Sequence, residues 1–447
     1  MNKLFIGAAS AFSGDRQDAA GPVVDSLAAS GEPAALIYET LAERTLALAQ
    51  LERRRDPNAG YDPWLVDIVG PVLKKCLENR ISIIGNFGAA NPRGAALRLR
   101  ALASELGIGV PRIAIIEGDD VSGPSHRAAL RQGLGAALDE GSIVSANVYQ
   151  GGDSIADAIK AGAQIVVAGR VSDPALTVGP LLAHFDWKRD DWMRRGKAVM
   201  VGHLLECGCQ ATGGFFADPG YREVPDIANL GYPIAEVDES GDCVITKPTG
   251  TGGLVVPAVV KEQLLYELHD PSAYVTPDAV ADITQCTLES VGADRVAMKG
   301  VRGTAWPSHL KVLVCHEGGW LAEAEISYAG PRAELRARVA ADIVRKRIGS
   351  KLKMRVDLIG AMSILADDAG ELLAETAPGG GRDIRLRVSA AHEDRRAADQ
   401  LNREVMSLYT CGPAGGGGVR TSLKPRLSTT ACYLPREMFP TRFEMLD

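Results

Sequence analysis

The chain has 447 residues, 46% of them hydrophobic and 23% charged, the balance of an ordinary globular protein long enough for more than one domain. A net charge of −7 excludes nucleic acid and anionic membrane surfaces as principal partners, and an aromatic content of 5% argues against carbohydrate or base-stacking surfaces. Eight cysteines scattered at positions 76, 207, 209, 243, 286, 315, 411 and 432 suit reduced thiols in a cytoplasmic protein better than a disulfide framework.

Met1-Asn2-Lys3 leads straight into an apolar stretch that reads as a first buried strand, not a secretory leader, and no apolar run reaches the length of a membrane span. Up to about residue 190, strands and helices alternate. The strands are expected at 4–9, 34–38, 81–84, 112–117, 143–148 and 164–168. The helices between them are expected at 18–29, 41–54, 65–79, 94–107, 125–140 and 155–161. Such alternation implies right-handed βαβ units, hence a parallel sheet with helices on both faces. Helix starts are expected at a capping box from Thr40 to Glu43, at the N-caps Asn91 and Asp173, each followed by proline, and at Asp153. The runs 53–55 and 345–347 read as solvated basic C-terminal turns.

From 200 to 257 glycines multiply, and this reads as an irregular, partly β segment packed over the first sheet. Beyond it, strands at 309–315 and 321–327, a helix at 333–348 and a strand at 354–359 suggest a second unit. The tail adds a strand at 384–389, a helix at 391–407 and a glycine run. The expectation is an α/β protein: a doubly wound, mostly parallel sheet in an N-terminal domain over 1–260, with a second, α+β domain over 261–447.

Three apolar strands run into short polar loops that carry glycine and precede a helix, at 4–19, 82–96 and 164–176. In a parallel sheet such loops share the carboxyl edge, where open α/β folds bind ligands. Asp15 reads as a cap for the following helix, and Arg16, in its first turn, opposes the helix dipole, which leaves it for a substrate carboxylate or phosphate. Asn86 and Asn91 lie in a loop with neither dinucleotide nor Walker spacing, whose glycines permit close approach of a ligand. Arg170 directly follows a buried strand and needs an anionic partner: Asp173 or Asp120 inside the chain, or the substrate. The carboxylates Asp119 and Asp120 end another strand and keep a metal-assisted hydrolase in view as an alternative.

His203 and Glu206 share a helix face, with Glu206 as the functional carboxylate and neither neighbouring cysteine as a nucleophile. Thr212 extends the pocket wall. The loops holding Lys247, and Gly415 and Gly416 with Arg420, offer anion-binding backbone N–H groups and charge.

These segments together resemble the acyclic terpene utilization family AtuA over most of the chain. The resemblance rests on Gly14-Asp15-Arg16, Leu41-Ala42-Glu43-Arg44-Thr45, Arg55-Asp56-Pro57 with Gly60-Tyr61, Asn91-Pro92 and Gly169-Arg170-Val171-Ser172-Asp173. It rests above all on Gly202-His203-Leu204-Leu205-Glu206-Cys207-Gly208, leading to Thr212-Gly213-Gly214 and Phe216-Ala217-Asp218-Pro219-Gly220. Later segments include Ile245-Thr246-Lys247-Pro248, Glu325-Ile326-Ser327-Tyr328-Ala329-Gly330 and the glycine run ending at Arg420.

The resemblance implies a cytoplasmic catabolic protein, from a family named for a gene cluster that degrades branched terpenoids through acyl-CoA intermediates; it brings no catalytic residue set with it. Many relatives carry or accompany a small ferredoxin-like C-terminal domain. This chain ends at Asp447, soon after Pro435-Arg436-Glu437, and is expected to lack it, so a small ferredoxin-like partner subunit is one expectation. Two departures from the family pattern are the stretch Gly85-Asn86-Phe87-Gly88-Ala89-Ala90-Asn91-Pro92 and Cys209 in place of alanine.

The functional expectation is a cofactor-independent lyase, hydratase or isomerase for a small carboxylate or acyl-CoA ester, with no metal-binding residues assigned. Glu206, Asp173 and Asp15 would be catalytic. Arg16, Arg170, Asn86, Asn91, Thr212, Lys247, Arg420, Gly415 and Gly416 would bind substrate. The alternative from another class is a non-catalytic subunit that binds a small partner chain. A homo-oligomer is expected in either case.

Overall fold

The computed structural model describes residues 2–138 and 143–446. The chain divides into two compact units, Met1–Cys315 with Thr429–Asp447, and His316–Ser428. The expected boundary at residue 260 falls inside the first unit, within the helix Pro257–Leu265.

The first unit begins β1 (Lys3–Ala8), α1 (Ala20–Ser30), β2 (Ala34–Tyr38), α2 (Glu43–Arg55), α3 (Leu65–Glu78), β3 (Ser82–Gly85), α4 (Pro92–Glu105) and β4 (Ile113–Glu117). It continues α5 (Arg127–Leu134), β5 (Ile143–Val148), α6 (Asp153–Lys160), β6 (Ile165–Val167), α7 (Ala175–Phe185) and α8 (Trp192–Glu206). Five of the strands are mutually parallel, in the order β1-β2-β3-β6-β4. Their side chains alternate between two cores. Ile6, Ile37, Ile84, Val166 and Ile116 face one, which holds Ile155, Leu176 and Val199 of α6, α7 and α8. Leu36, Ile83, Val167 and Ile115 face the other, with Val23, Val69 and Leu99 of α1, α3 and α4. Burial on both faces is why these strands read as unbroken apolar runs. The expected α/β class and its parallel centre are present.

Two expected features are placed differently. Strand β5 forms but leaves the parallel sheet, and its neighbour Tyr149 bonds to Lys311 (Tyr149 N to the Lys311 carbonyl, 3.0 Å). The segment expected to cover the sheet instead extends it: β7 (Ile234–Asp238) pairs antiparallel with β1, and β8 (Cys243–Thr246) follows. That addition pairs the edge of β1 that would otherwise be open.

The unit continues α9 (Pro257–Leu265), β9 (Tyr274–Val275), β10 (Val280–Asp282), β11 (Thr287–Gly292), β12 (Arg295–Lys299) and β13 (Arg302–Thr304). Strands β12 and β11 prolong the large sheet beyond β8, while β13-β10-β9 form a small one.

The long strand β14 (His309–Ala329), whose residues from His316 on belong to the second unit, joins two pieces that sequence spacing reads separately. Then come α10 (Ala333–Ile348), β15 (Met354–Ile359), the short α11 (Glu371–Glu375), β16 (Asp383–His392), α12 (Arg395–Cys411) and β17 (Gly417–Pro435). The sheet order β15-β16-β14-β17, with α10 and α12 contributing to one core, is a β-α-β-β-α-β arrangement of the ferredoxin-like kind, interrupted by α11, so the chain holds a unit of the kind it was expected to lack. Finally β18 (Arg442–Met445) pairs antiparallel with β4 at the edge of the large sheet.

Helix starts follow the chemistry only in part. Asn91 caps α4, its Oδ1 accepting from the Gly94 N–H at 3.0 Å. Helix α2 starts at Glu43, with Thr45 Oγ1 accepting from the Ala42 N–H at 2.8 Å, so the expected box at Thr40 does not form. Asp153 is the first residue of α6 but makes no cap; its carboxylate accepts from Arg195 at 2.8 Å. The end of the helix expected over 125–140 lies outside the described residues; its described part is a turn at Pro124–His126, then α5. Among the described residues no helix is long and apolar enough to cross a membrane.

Arg195 of α8 is fully buried, and it pairs with Asp278 at 2.8 Å as well as with Asp153. Asp278 also accepts from the Gly152 N–H at 2.9 Å, so one guanidinium ties α8 to the start of α6 and to the β9–β10 turn. Breaking such a pair leaves a buried charge without its partner. Arg195→Met should destabilise the protein by about 3–5 kcal/mol in chemical unfolding. Arg189→Met, which loses only an exposed pair with Asp157, should cost under about 1 kcal/mol.

Candidate functional site

The carboxyl ends of β2, β4 and β6 meet at one buried arginine. Arg170, just beyond β6, is 2% exposed. Its side chain donates to the carbonyls of Leu41 and Val171 and to the Asp173 carboxylate, and its backbone N–H donates to Asp119 Oδ2 at 2.9 Å. The guanidinium lies 4.5 Å from the centre of the Tyr149 ring. Burial alone would lower its pKa; the charges of Asp173, Tyr149 and Glu39 hold it raised. Of the two partners weighed from sequence, the internal one is present: Asp173 takes the charge.

Asp173 is therefore not a helix cap. Helix α7 starts at Ala175 with no side-chain cap. The carboxylate is 38% exposed and lines a cavity of about 410 Å³ with Ser172, Pro174, Tyr149, Tyr274 and Lys311. Lys311 stands 4.7 Å from the Tyr149 ring centre and 3.6 Å from Glu43, and Tyr149 donates to Glu43 at 2.8 Å.

Behind this wall lies the pair from α8. His203 Nδ1 and Glu206 Oε1 are 2.8 Å apart, and the His203 ring packs 5.1 Å from that of Tyr274. Burial pushes Glu206 up to about 7, His203 pulls it down, and Asp173 and Glu267 push it up further. Burial lowers His203 most, but the Glu206 charge and hydrogen bond together with the Gln263 and Leu264 backbone leave it raised. Several buried polar atoms here have no hydrogen-bond partner: Ser172 Oγ, His203 Nε2, Glu206 Oε2 and Gln263 Oε1. Buried polar groups are normally satisfied, so this cluster is a place where a polar ligand or water belongs. Cys207 sits beside it, its thiol pushed up to about 12 by burial, unsuited to act as a thiolate nucleophile.

Glu39, at the end of β2, completes the network. Its Oε1 accepts from the Leu41 N–H at 2.9 Å and from Asn86 at 2.8 Å, and Asn86 Oδ1 accepts from the Thr40 N–H at 2.7 Å. Burial and then the Asp173 charge raise Glu39 to about 8, against Arg170 and Asn86. Asp119 is raised to about 6 by burial, against the Arg170 N–H and Asn147. Asp119 also lines a wider cleft of about 900 Å³, with Asn91, Arg53 and Arg442. Asp120 folds back onto Ser122 Oγ at 2.6 Å. Among the described residues no group of three or more His, Cys, Asp or Glu side chains is arranged to hold a metal ion.

The other expected residues have internal duties. Helix α1 starts only at Ala20, so neither Asp15 nor Arg16 is in it. Asp15 accepts from the Ala11 N–H at 2.8 Å and from the Tyr232 hydroxyl at 2.7 Å; Arg16 bonds to Asp18 and to the Leu230 carbonyl. Thr212 donates to the Gly231 carbonyl at 2.6 Å. Lys247 reaches the Thr251 carbonyl at 2.9 Å and Asp294 at 3.2 Å, closing its own loop. The glycines near Asn86 admit the chain itself: a Cβ at Gly88 would stand 2.5 Å from the Ala168 carbonyl oxygen. Gly415, Gly416 and Arg420 belong to the second unit, where a Cβ on Gly416 would meet Ile326 and Tyr328.

Glu39, Tyr149, Tyr274 and Lys311 were missed in the sequence. Glu39 carried a usable signal, an acid directly after an apolar strand, as Arg170 is a base after one. Tyr274 and Lys311 arrive from distant segments with no local mark.

Fold and site together define an α/β protein that gathers carboxylates, a histidine and a buried arginine at the carboxyl edge of its parallel strands. The chain belongs to the acyclic terpene utilisation family AtuA, whose family model matches residues 4–445. No curated protein and no solved structure matches it.

The folded pKa of Glu39 lies above its ordinary value, so its contribution to stability is fully present below pH 4.5 and is lost as pH rises through about 8. Glu39→Gln keeps the acceptor oxygen and removes the titration. Its melting temperature should fall less than the parent's over that interval, read by thermal unfolding across pH; an unchanged slope would contradict the burial of a titrating Glu39.

Proposed function

We propose that this chain is a cofactor-independent lyase, hydratase or isomerase that moves a proton next to the carbonyl of a small carboxylate or acyl-CoA ester in cytoplasmic catabolism. The observation that supports it is the pairing of two differently placed carboxylates beside one cavity. Asp173 is fixed on the cavity wall by a buried arginine, while Glu206 is buried against His203 and pushed up to about 7. Carboxyl groups whose environments differ in this way divide the acid and base roles of a proton transfer.

In this reading Asp173, held in place by Arg170, is the base that takes the proton. Glu206 with His203 supplies or accepts the second proton through Tyr274 or an ordered water. Lys311, the cation on the cavity wall, holds the carboxylate or the thioester oxygen, a role sequence gave to Arg16 and Arg170. Arg170 becomes a positioning residue. The family's description, acyclic terpene utilisation, fits a substrate with a branched apolar body beside the reacting carbonyl, and the cavity's tyrosine and proline walls suit such a body.

The test is solvent-deuterium exchange into a panel of short-chain and branched acyl-CoA esters and carboxylates, read by mass spectrometry. Asp173→Asn and Glu206→Gln should each slow exchange by about two to four orders of magnitude while the fold is kept. The rate of the parent should inflect near pH 7, where Glu206 titrates. Exchange at the parental rate in both variants would overturn the proposal.

A further inference from the structure

A third cavity, of about 180 Å³, lies at the ends of β1 and β2 and shares no lining residue with the cavity that holds Asp173. Its polar wall is made of Asp62, Glu52 and the hydroxyl residues Ser13, Thr40 and Thr45. Leu41, Leu48, Ala49, Pro63 and Ala89 form the apolar wall. No lysine, arginine or histidine lines it.

Asp62 is the unusual member. It is 4% exposed, and one oxygen is fixed, accepting from the Trp64 N–H at 2.7 Å. Its own N–H donates to the Phe87 carbonyl at 2.8 Å, which locks the backbone. The other oxygen, Oδ2, is buried with no hydrogen-bond partner. Two of the nearby hydroxyls donate elsewhere, Thr40 Oγ1 to Asn86 Oδ1 at 3.3 Å and Thr45 Oγ1 to the Ala42 carbonyl at 2.8 Å; burial raises the pKa of Asp62, and against it Ser13 and Thr40 favour the charged form. The two threonine hydroxyls present acceptor capacity to the cavity. A buried carboxylate oxygen without a donor is costly, and here nothing in the wall compensates it with positive charge.

We propose that this cavity is a binding site for a small alkylammonium ion, its N–H donors meeting Asp62 and the two threonine hydroxyls and its alkyl body lying on Leu41, Leu48 and Pro63. An ammonium group is the complement of such a wall, because it offers three donors and no acceptor. The volume admits roughly six water-sized heavy atoms, the size of a short primary amine. Leu48, which lines the cavity and is exposed, gives a longer apolar tail a surface to follow. The site is independent of the catalytic reading and stands or falls separately from it.

The experiment is isothermal titration of the full chain with n-butylammonium, n-butanol and potassium chloride. Butylammonium should bind, and butanol, of the same shape without the charge, should bind at least about tenfold more weakly. Asp62→Asn should lose about tenfold in affinity or more. If that variant fails to fold, Ala49→Phe, on α2 with a partly buried side chain, fills the cavity and leaves Asp62 untouched; it should also abolish binding. Absence of butylammonium binding, equal binding of butanol, the same heat from potassium alone, or undiminished affinity in a folded variant would each overturn the proposal.

Discussion

The first unit depends on how a single guanidinium is accommodated. Arg170 cannot shed its charge and cannot be left unpaired in an interior, so the ends of several strands are arranged around it. The Leu41 carbonyl comes from beyond β2, Val171 and Asp173 follow β6 itself, and the Asp119 carboxylate from beyond β4 holds the Arg170 backbone N–H. Tyr149 supplies an aromatic face from beyond β5. Each group limits where its own loop can go. The carboxyl edge is thereby a preorganised surface on which Asp173 has one position, and preorganisation is what a proton-transferring carboxylate needs.

The same accommodation shapes the acid–base character of the edge. One arginine cannot neutralise Glu39, Asp119, Asp173 and Glu206 together. Asp173, the most exposed of the four, receives the direct contact. Glu39 and Glu206, buried and close enough to Asp173 to be repelled by it, are pushed toward neutrality. A set of carboxyl groups in unlike environments follows from burying several acids around one base. Buried atoms of His203, Glu206, Gln263 and Ser172 are left without hydrogen-bond partners.

Much of this was legible in the sequence. Alternating apolar runs and helical stretches gave the parallel centre, because strands buried on both faces have no polar alternation to hide. The loops carrying Arg170, Asp173, Asn86 and Asp119 were recognisable as strand ends, and the spacing of His203 and Glu206 placed them on one helix face. What was illegible depended on partners far along the chain. β5 has the composition of a sheet strand, yet β18, from the last residues, takes the place beside β4. Asp173 before Pro174 has the form of an N-cap, and only the contact with Arg170 shows the carboxylate used otherwise. The glycines near Asn86 and around Gly415 suggested ligand loops, whereas at Gly88 and Gly416 the space is filled by the chain's own atoms.

The central claim, that Arg170 acts by fixing Asp173 and not by meeting a substrate, is tested most directly by a double-mutant cycle. Arg170→Met, Asp173→Asn and the double variant would be compared with the parent by chemical unfolding in the absence of any ligand. The account expects a coupling free energy of about 1.5–3 kcal/mol, the range of residues joined in one network. A coupling below about 0.5 kcal/mol, that of an exposed ion pair, would contradict it and return Arg170 to the role of a substrate-binding cation.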